Sequence, residues 1–414
     1  MGVTRAYDEV DVSTNAFWEL SAEERDDRLA FLRKERPVSW QRPAAGMGSM
    51  PGMEGAGYWA VLRHADVMTV SRDPETYSSA QGYMIEEIPM EILENAGSFL
   101  GMDHPRHTQM RRLVSQAFSP RRVRLLEEKI AVRARMLVDD LLAQGEGDFV
   151  KTVAMPLPSL TYAEMVGVDE EDRERIVALA DNMVAYNDSD ALAGRDGLTL
   201  LMETLVGIYA EAAALVERRR TDPGEDILTG LVEAELDGQR LTEEEIAAFL
   251  VLVSVAANDT TRNSISHGML ALQRFPDQLA LLTSDLEGLL PGGIEEIIRW
   301  ATPVMTFRRT ATRDTELNGT TIAEGEKVVM FYNSANRDES MFPDPWTFDI
   351  TREAQHVGFG GGGPHFCLGA SLARTMLRSM FRELITRAPT LELGDPKFLM
   401  GNFIHGITAM PYKV

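Results

Sequence analysis

Cys367 is the only cysteine in 414 residues. It stands in Gly358-Phe359-Gly360-Gly361-Gly362-Gly363-Pro364-His365-Phe366-Cys367-Leu368-Gly369, where five of the six residues from Gly358 to Gly363 are glycine. A lone cysteine forms no internal disulfide, and alone it holds no iron–sulfur cluster, which takes about four thiolates. Glycine has no Cβ and lets backbone come close to a neighbour. A helical pattern over 368–388 follows directly, so the sulfur lies near a helix N-terminus, where backbone N–H groups favour negative charge. One such thiolate suits a single axial bond to a haem iron. Taken alone, a free cysteine is more often buried and inert. Gly358, Gly360 and Gly363 also satisfy G-x-G-x-x-G, with Glu383 about twenty residues on. A dinucleotide site needs that acid at the end of a second strand, whereas Glu383 falls inside the helical pattern, so the match is set aside as chance.

A second constellation lies in a long helix. Thr242 and Glu245 form a capping box, and the helix runs to Phe275, where Pro276 stops it. That is about 50 Å of helix. Ile246 to Ala257 is apolar nearly all round, yet Asn258, Asp259, Thr260 and Thr261 follow at the buried centre. A polar run there is costly unless partnered or functional. Thr260 is spaced to bond back to the Ala256 carbonyl and open the helix locally. His107 and Arg111 share a helix face behind Pro105, which on its own reads as a solvated basic helix. Glu296 and Arg299, opposite Ile294, Ile297 and Ile298, read as an exposed ion pair worth less than about 1 kcal/mol.

The elements that must position these residues are mostly helical. Ser21 and Glu24 open a helix to about Arg36. Residues 39–57 read as loop, Tyr58 to Leu62 as a strand, 64–72 as a short helix, and 81–103 as a variable loop with a short helix. Helices are expected over 121–144, 159–186 and 198–221, with the polar 187–197 connection suited to a mobile lid. Two short strands are expected around Asn318-Gly319 and Glu324-Gly325, and more from Thr390. The chain reads as one domain, 1–414, whose first 20 residues form an extended N-terminal arm. With 44% apolar and 25% charged residues, it has the composition of a soluble globular protein. A formal net charge of −23 argues against general nucleic-acid binding. One cysteine, no signal peptide and no apolar run of about 18 residues lead us to expect a cytoplasmic protein without a membrane span.

Four ordered motifs resemble the cytochrome P-450 family of haem-thiolate monooxygenases, over residues from about 15 to the C-terminus. They are Ala256-Ala257-Asn258-Asp259-Thr260-Thr261, Glu296 with Arg299, Arg309-Thr310-Ala311-Thr312-Arg313-Asp314, and the Cys367 loop. The resemblance implies a mainly α fold with a small β region and haem b between the long helix and that loop. It implies Cys367 as axial ligand, His107, Arg111, Arg309 and His365 on the propionates, and Phe359, Gly369 and Ala256 along the cofactor. Asp259 and Thr260 would activate oxygen. Glu296, Arg299 and Arg352 would form a buried triad. The family's phenylalanine seven residues before the cysteine is Gly360 here, with Phe359 one position earlier. This longer loop looks like mycobacterial members that oxidise branched lipids and sterol side chains. Ala257 and Ile350 replace a usual Gly and Pro.

What the resemblance implies chemically is hydroxylation of an apolar small molecule: a methyl-branched lipid, isoprenoid or sterol side chain. The reaction takes O2 and two electrons from a ferredoxin, itself reduced by an NAD(P)H-dependent ferredoxin reductase. The expected pocket residues are Met84, Phe99, Leu100, Leu252, Ala256, Val304 to Phe307 and Ile404, whose apolar character calls for an apolar ligand. The chain carries no flavin or iron–sulfur signature. Two arginine-rich stretches flank the cysteine side in the resembled fold: Arg106, Arg111, Arg112, Arg121, Arg122 and Arg124, then Arg374, Arg378 and Arg382. Of these, Arg112 and Arg378 are expected to dock the ferredoxin. The alternatives are a non-catalytic haem sensor or carrier and a peroxide-driven enzyme; storage alone needs no relay such as Asp259 and Thr260.

Overall fold

The central helix, Glu243–Arg274, has 32 residues and is about 48 Å long. Thr242 and Glu245 close their capping box as expected, each side chain accepting the other's backbone N–H at 3.2 and 2.9 Å. The helix ends before Phe275, because Pro276 opens a new helix, Pro276–Ser284. Around it pack Pro156–Val166, Gly197–Thr221, Leu286–Ala301 and Ala370–Arg387, the last beginning just after Cys367. These contacts build a continuous apolar core through Leu250, Leu272, Ile297, Met380 and Phe381. This is a computed structural model, and it describes residues 5–44, 55–87, 99–168, 170–185 and 197–414. Nearly all of the expected lid, 187–196, lies outside the described residues, as does 88–98 within the expected variable loop.

The helix expected over 159–186 is two helices, Pro156–Val166 and Glu170–Ala185. Gly167 divides them with a left-handed φ of +67°, and a Cβ there would strike Asp226 and Arg219. Those two side chains pair at 2.7 Å, so the position needs glycine on both counts.

The largest sheet among the described residues has five strands. Val38–Gln41 pairs antiparallel with Tyr58–Val61, which runs parallel to Lys327–Phe331. Thr306–Ala311 then pairs antiparallel with Lys327–Phe331, and Tyr77–Ser78 closes the edge. The expected loop at 39–57 therefore begins as a strand, fixed by the cross-strand pair of Trp40 and Trp59, 5.1 Å apart. Between 315 and 331 there are three strands, Thr315–Leu317, Thr320–Ile322 and Lys327–Phe331. The N-terminal segment is not a free arm in residues 5–20. Asn15–Trp18 forms a helical turn, and Val12, Phe17 and Trp18 are buried against Ile85, Met305 and Phe331. Among the described residues no helix is long and apolar enough to cross a membrane.

Candidate active site

The Cys367 loop is anchored at both ends. Val357 donates its N–H to Asn336 Oδ1 at 2.8 Å, and Cys367 donates its N–H to the Phe359 carbonyl at 3.0 Å. Between these points the glycines press against the helix His64–Arg72. Ser71 Oγ donates to the Gly362 carbonyl at 2.9 Å and Arg72 Nε to that of Gly361 at 3.2 Å. Gly363 has φ +75°, and a Cβ there would collide with the Ser71 carbonyl. The glycine run thus serves close approach to a neighbouring helix. Phe359 lies under the Arg374 guanidinium at 4.5 Å and meets Phe366 edge-on at 6.4 Å. Gly369 is the N-cap of Ala370–Arg387. Burial pushes the Cys367 thiol up, against the Gly369 N–H and the charges of Arg111 and Arg374, which pull it down. The expected thiolate support is in place, but burial outweighs it; coordination to a metal deprotonates a thiol outright.

Four basic side chains converge beside the loop. The rings of His107 and His365 are 4.1 Å apart. Arg111 Nη2 donates to the Phe366 carbonyl at 2.7 Å, and Arg309 Nη1 to the Arg308 carbonyl at 2.7 Å. Among the described residues none of the four forms an ion pair with a carboxylate. His107 Nε2 and His365 Nδ1 are buried without a hydrogen bond, although the Met102 carbonyl lies near enough to favour protonation of His365. Burial, Arg111 and Arg309 push His107 down to about 4. Burial, Arg309, His107 and Arg111 push His365 down to about 2. The solvated helix that His107 and Arg111 suggested in isolation is corrected: His107 is buried and Arg111 half-buried.

A file of rings connects this cluster to the central helix. Phe99 stacks on Phe249 at 6.2 Å and meets His107 at 5.8 Å. Farther along the helix, Thr260 Oγ1 donates to the Ala256 carbonyl at 2.7 Å, the back-bond its spacing implied. The polar run is partnered except at Thr261, whose Oγ1 is buried without a hydrogen bond. Ser159 donates to Asn258 Oδ1 at 3.0 Å, Arg262 to Asp259 Oδ1 at 2.5 Å, and Asn263 to the Asp259 carbonyl at 2.8 Å. Burial raises the proton affinity of Asp259 while Arg262 lowers it. The apolar stretch before it is less enclosed than expected: Leu252 is half-buried and Ala256 exposed, whereas Asn258 and Asp259 are buried. Ser159, Arg262 and Asn263 escaped sequence reasoning because their partners come from other turns and other helices.

Glu296 and Arg299 are not the exposed pair their periodicity suggests. Both are 0% exposed. Glu296 takes Arg299 Nε and Nη2 at 2.7 Å each and the Asp349 N–H at 3.0 Å, with Arg352 Nε at 3.5 Å. Arg299 Nη1 donates to the carbonyls of Asn336 and Pro345. The segment 336–352 covers what would otherwise be the polar face of the helix. Asn336, unmarked in the sequence, joins this cluster to Val357 at the entrance of the Cys367 loop.

The family profile described as Cytochrome P-450 matches residues 201–387. Over 409 residues the chain is 42% identical to a methyl-branched lipid omega-hydroxylase of Mycobacterium tuberculosis, covering 97% of this chain and 94% of that protein. The chain belongs to the cytochrome P-450 family. It is 39% identical to a steroid C26-monooxygenase of Mycolicibacterium smegmatis, covering 92% and 88% of the two chains. A Mycobacterium marinum cytochrome P-450 solved in complex with pseudoionone superposes with a TM-score of 0.94 at 48% identity, over 100% of both chains. As a cytochrome P-450, the chain is a monooxygenase that uses haem b, O2 and redox partners. The relatives' names favour that activity over the sensor, carrier and peroxide-driven alternatives.

The apolar residues expected to line the P-450 pocket come from three parts of the chain. Val304 bridges Ile404 in antiparallel fashion. Phe307 meets Phe403 at 5.5 Å and Tyr83 at 6.4 Å, beside the half-buried Met84. Phe307 and Arg309 are two apart on one strand and so share a face. Phe99 and Leu100 belong to a short 3-10 turn, Phe99–Gly101, that reaches the central helix through Phe249. Phe249, Tyr83 and Phe403 were missed; an apolar residue beside a marked one is the only signal they carry.

Proposed function

We propose that this cytochrome P-450 hydroxylates a methyl-branched lipid, isoprenoid or sterol side chain and takes its electrons from a ferredoxin. The observation that carries the substrate class is near full-length similarity to proteins named methyl-branched lipid omega-hydroxylase and steroid C26-monooxygenase. The apolar surroundings of Phe99, Leu252, Val304, Phe307 and Ile404 agree with it.

Cys367 is proposed as the axial ligand. Haem b brings two carboxylates, and the four basic side chains without a carboxylate partner fit that charge. His107 Nε2, a buried ring nitrogen without a partner, is available to one of them in its Nε2–H form. Haem b, when bound, supplies reduction of O2 and insertion of one oxygen atom into a C–H bond. The chain controls access and protons. Because Thr260 Oγ1 gives its hydrogen to the Ala256 carbonyl, its lone pairs remain free to accept from an ordered water. Asp259, whose proton affinity burial raises and Arg262 lowers, is the carboxyl proposed to pass a proton toward Thr260. The three-charge cluster of Glu296, Arg299 and Arg352 keeps the loop in place through Asn336.

For the electron donor, most of the arginines on the cysteine side are engaged. Arg106 pairs with Glu245, Arg121 with Glu225, Arg122 with Glu233, Arg374 with Glu295 and Arg382 with Glu287. Arg112 and Arg378 are exposed and have no ion pair among the described residues. Phe366, next to Cys367, is 38% exposed. Two exposed arginines without a carboxylate partner among the described residues, together with an exposed apolar residue beside Cys367, fit an acidic ferredoxin. The substrate class is tested by titrating the ferric enzyme with branched lipids, sterols and small aromatics. Soret shifts with the first two support it; shifts with small aromatics alone overturn it.

A further inference from the structure

A cavity of about 30 Å³ lies between the helix Ala22–Glu35, the end of Leu286–Ala301 and the segment after Tyr332. None of the basic residues near Cys367 lines it. Arg25, Asp26, Arg337 and Asn333 do, and three of them bring a buried polar atom without a partner: Arg25 Nε, Arg337 Nε and Asn333 Oδ1. Three such atoms around one space need an explanation, because buried polar groups are nearly always hydrogen-bonded.

Carbonyls, not carboxylates, hold both arginines. Arg25 Nη1 donates to the Trp18 carbonyl at 3.0 Å. Arg337 donates to the carbonyls of Arg299 at 3.1 Å and Trp300 at 2.9 Å. Its guanidinium lies over the rings of Trp300 and Trp346, at 4.8 and 4.5 Å. The carboxylates close enough to act on the two cations are Glu23, Asp26 and Glu296. All three are committed elsewhere: Glu23 to Arg274, Asp26 to Arg33 and Trp346, Glu296 to Arg299 and Arg352. Burial lowers Arg25 to about 10 and Arg337 to about 9, so both stay charged at neutral pH. His405, also in the lining, is pushed down by burial, by His267 and by Arg25, and offers no negative charge. Two buried guanidinium groups therefore have no carboxylate bonded to them, and Asp26, the carboxylate in the lining, is taken by Arg33 and Trp346, so their burial is costly.

We propose that this cavity is an internal anion site, in which a small monovalent anion of halide size accepts the Nε–H groups of Arg25 and Arg337. A water needs about 10–15 Å³ of such space, so the cavity has room for a halide and a water that donates to Asn333 Oδ1. At that size the cavity suits a halide better than sulfate or phosphate. The anion ties the N-terminal helix to the end of Leu286–Ala301 by charge.

The test uses the haem-loaded enzyme. Crystals grown in sodium bromide should show an anomalous peak within hydrogen-bond reach of Arg25 Nε and Arg337 Nε. In solution at constant ionic strength, replacing gluconate by bromide should raise the unfolding temperature by on the order of 2 °C, and saturably. Sulfate should give no such rise. Arg25→Gln should abolish the bromide effect and Arg25→Lys should retain part of it. A cavity holding water only in bromide-grown wild-type crystals, or equal unfolding temperatures in bromide and gluconate, would overturn the proposal whether or not the variants fold.

Discussion

Glu296→Gln isolates the contact on which the Cys367 loop depends. The carboxylate takes two 2.7 Å bonds from Arg299 and one of 3.0 Å from the Asp349 N–H. Glutamine keeps the shape but turns an NH2 group toward the guanidinium and removes its counter-charge. Arg299 is 0% exposed, so water cannot replace the loss. Breaking one partner out of a buried pair costs about 3–5 kcal/mol. At roughly 2.1 cal/mol/K of unfolding entropy per residue, a chain of this length loses about 1 °C of midpoint per kcal/mol, hence about 3–6 °C. The effect should reach the cofactor, because Arg299 holds the Asn336 carbonyl and Asn336 holds Val357. Thermal unfolding followed in parallel by far-ultraviolet circular dichroism and haem absorbance reads both. A midpoint within 1 °C of wild type with full haem content would refute this account of how the loop is held.

Thr260→Ala should leave substrate-induced Soret shifts unchanged while diverting NAD(P)H consumption from product to hydrogen peroxide; unchanged coupling removes Thr260 from proton delivery. Arg112→Glu with Arg378→Glu should slow the first electron transfer from ferredoxin at low salt by on the order of tenfold and flatten its salt dependence. Stopped-flow reduction as fast as wild type at low salt would place the docking face elsewhere. Glu295 gives a pH test. Burial raises it, but hydrogen bonds from Arg374 and His356 hold it down to about 2, below its unfolded value of about 4.3. Its contribution to stability is therefore complete above the unfolded value and is lost as pH falls toward 2. Glu295→Gln should lower stability at neutral pH, where the contribution is complete, and flatten the acid side of the stability curve in that window; an identical acid limb contradicts the pairing.

The helices were legible where local rules decide. Both capping boxes close as read, Pro276 ends the central helix, and Thr260 back-bonds to Ala256. Failures came where a distant segment decides. Gly167 breaks a helix because Arg219 and Asp226 crowd it. Val38–Gln41 becomes a strand because Tyr58–Val61 is there to pair with it. Periodicity put Glu296 and Arg299 in solvent, because the covering segment 336–352 leaves no trace in a helical pattern. The docking stripe was likewise too generous. Spacing put Arg374, Arg378 and Arg382 on one face, but only the fold brings Glu295 and Glu287 to two of them. At the site, the residue types around Cys367 carried the cofactor, while Asn336 and Phe249 act through neighbours far away in sequence.

The central claim is that Cys367 supports insertion of one atom of dioxygen into an apolar substrate. The most direct test is turnover of a methyl-branched lipid with ferredoxin, reductase and NAD(P)H under isotopically labelled dioxygen, read by mass spectrometry of the product. The account predicts one labelled oxygen atom in the hydroxylated product of the wild type and no labelled product from Cys367→Ser. Hydroxyl oxygen drawn from water, or undiminished labelled product from the serine variant, would contradict it.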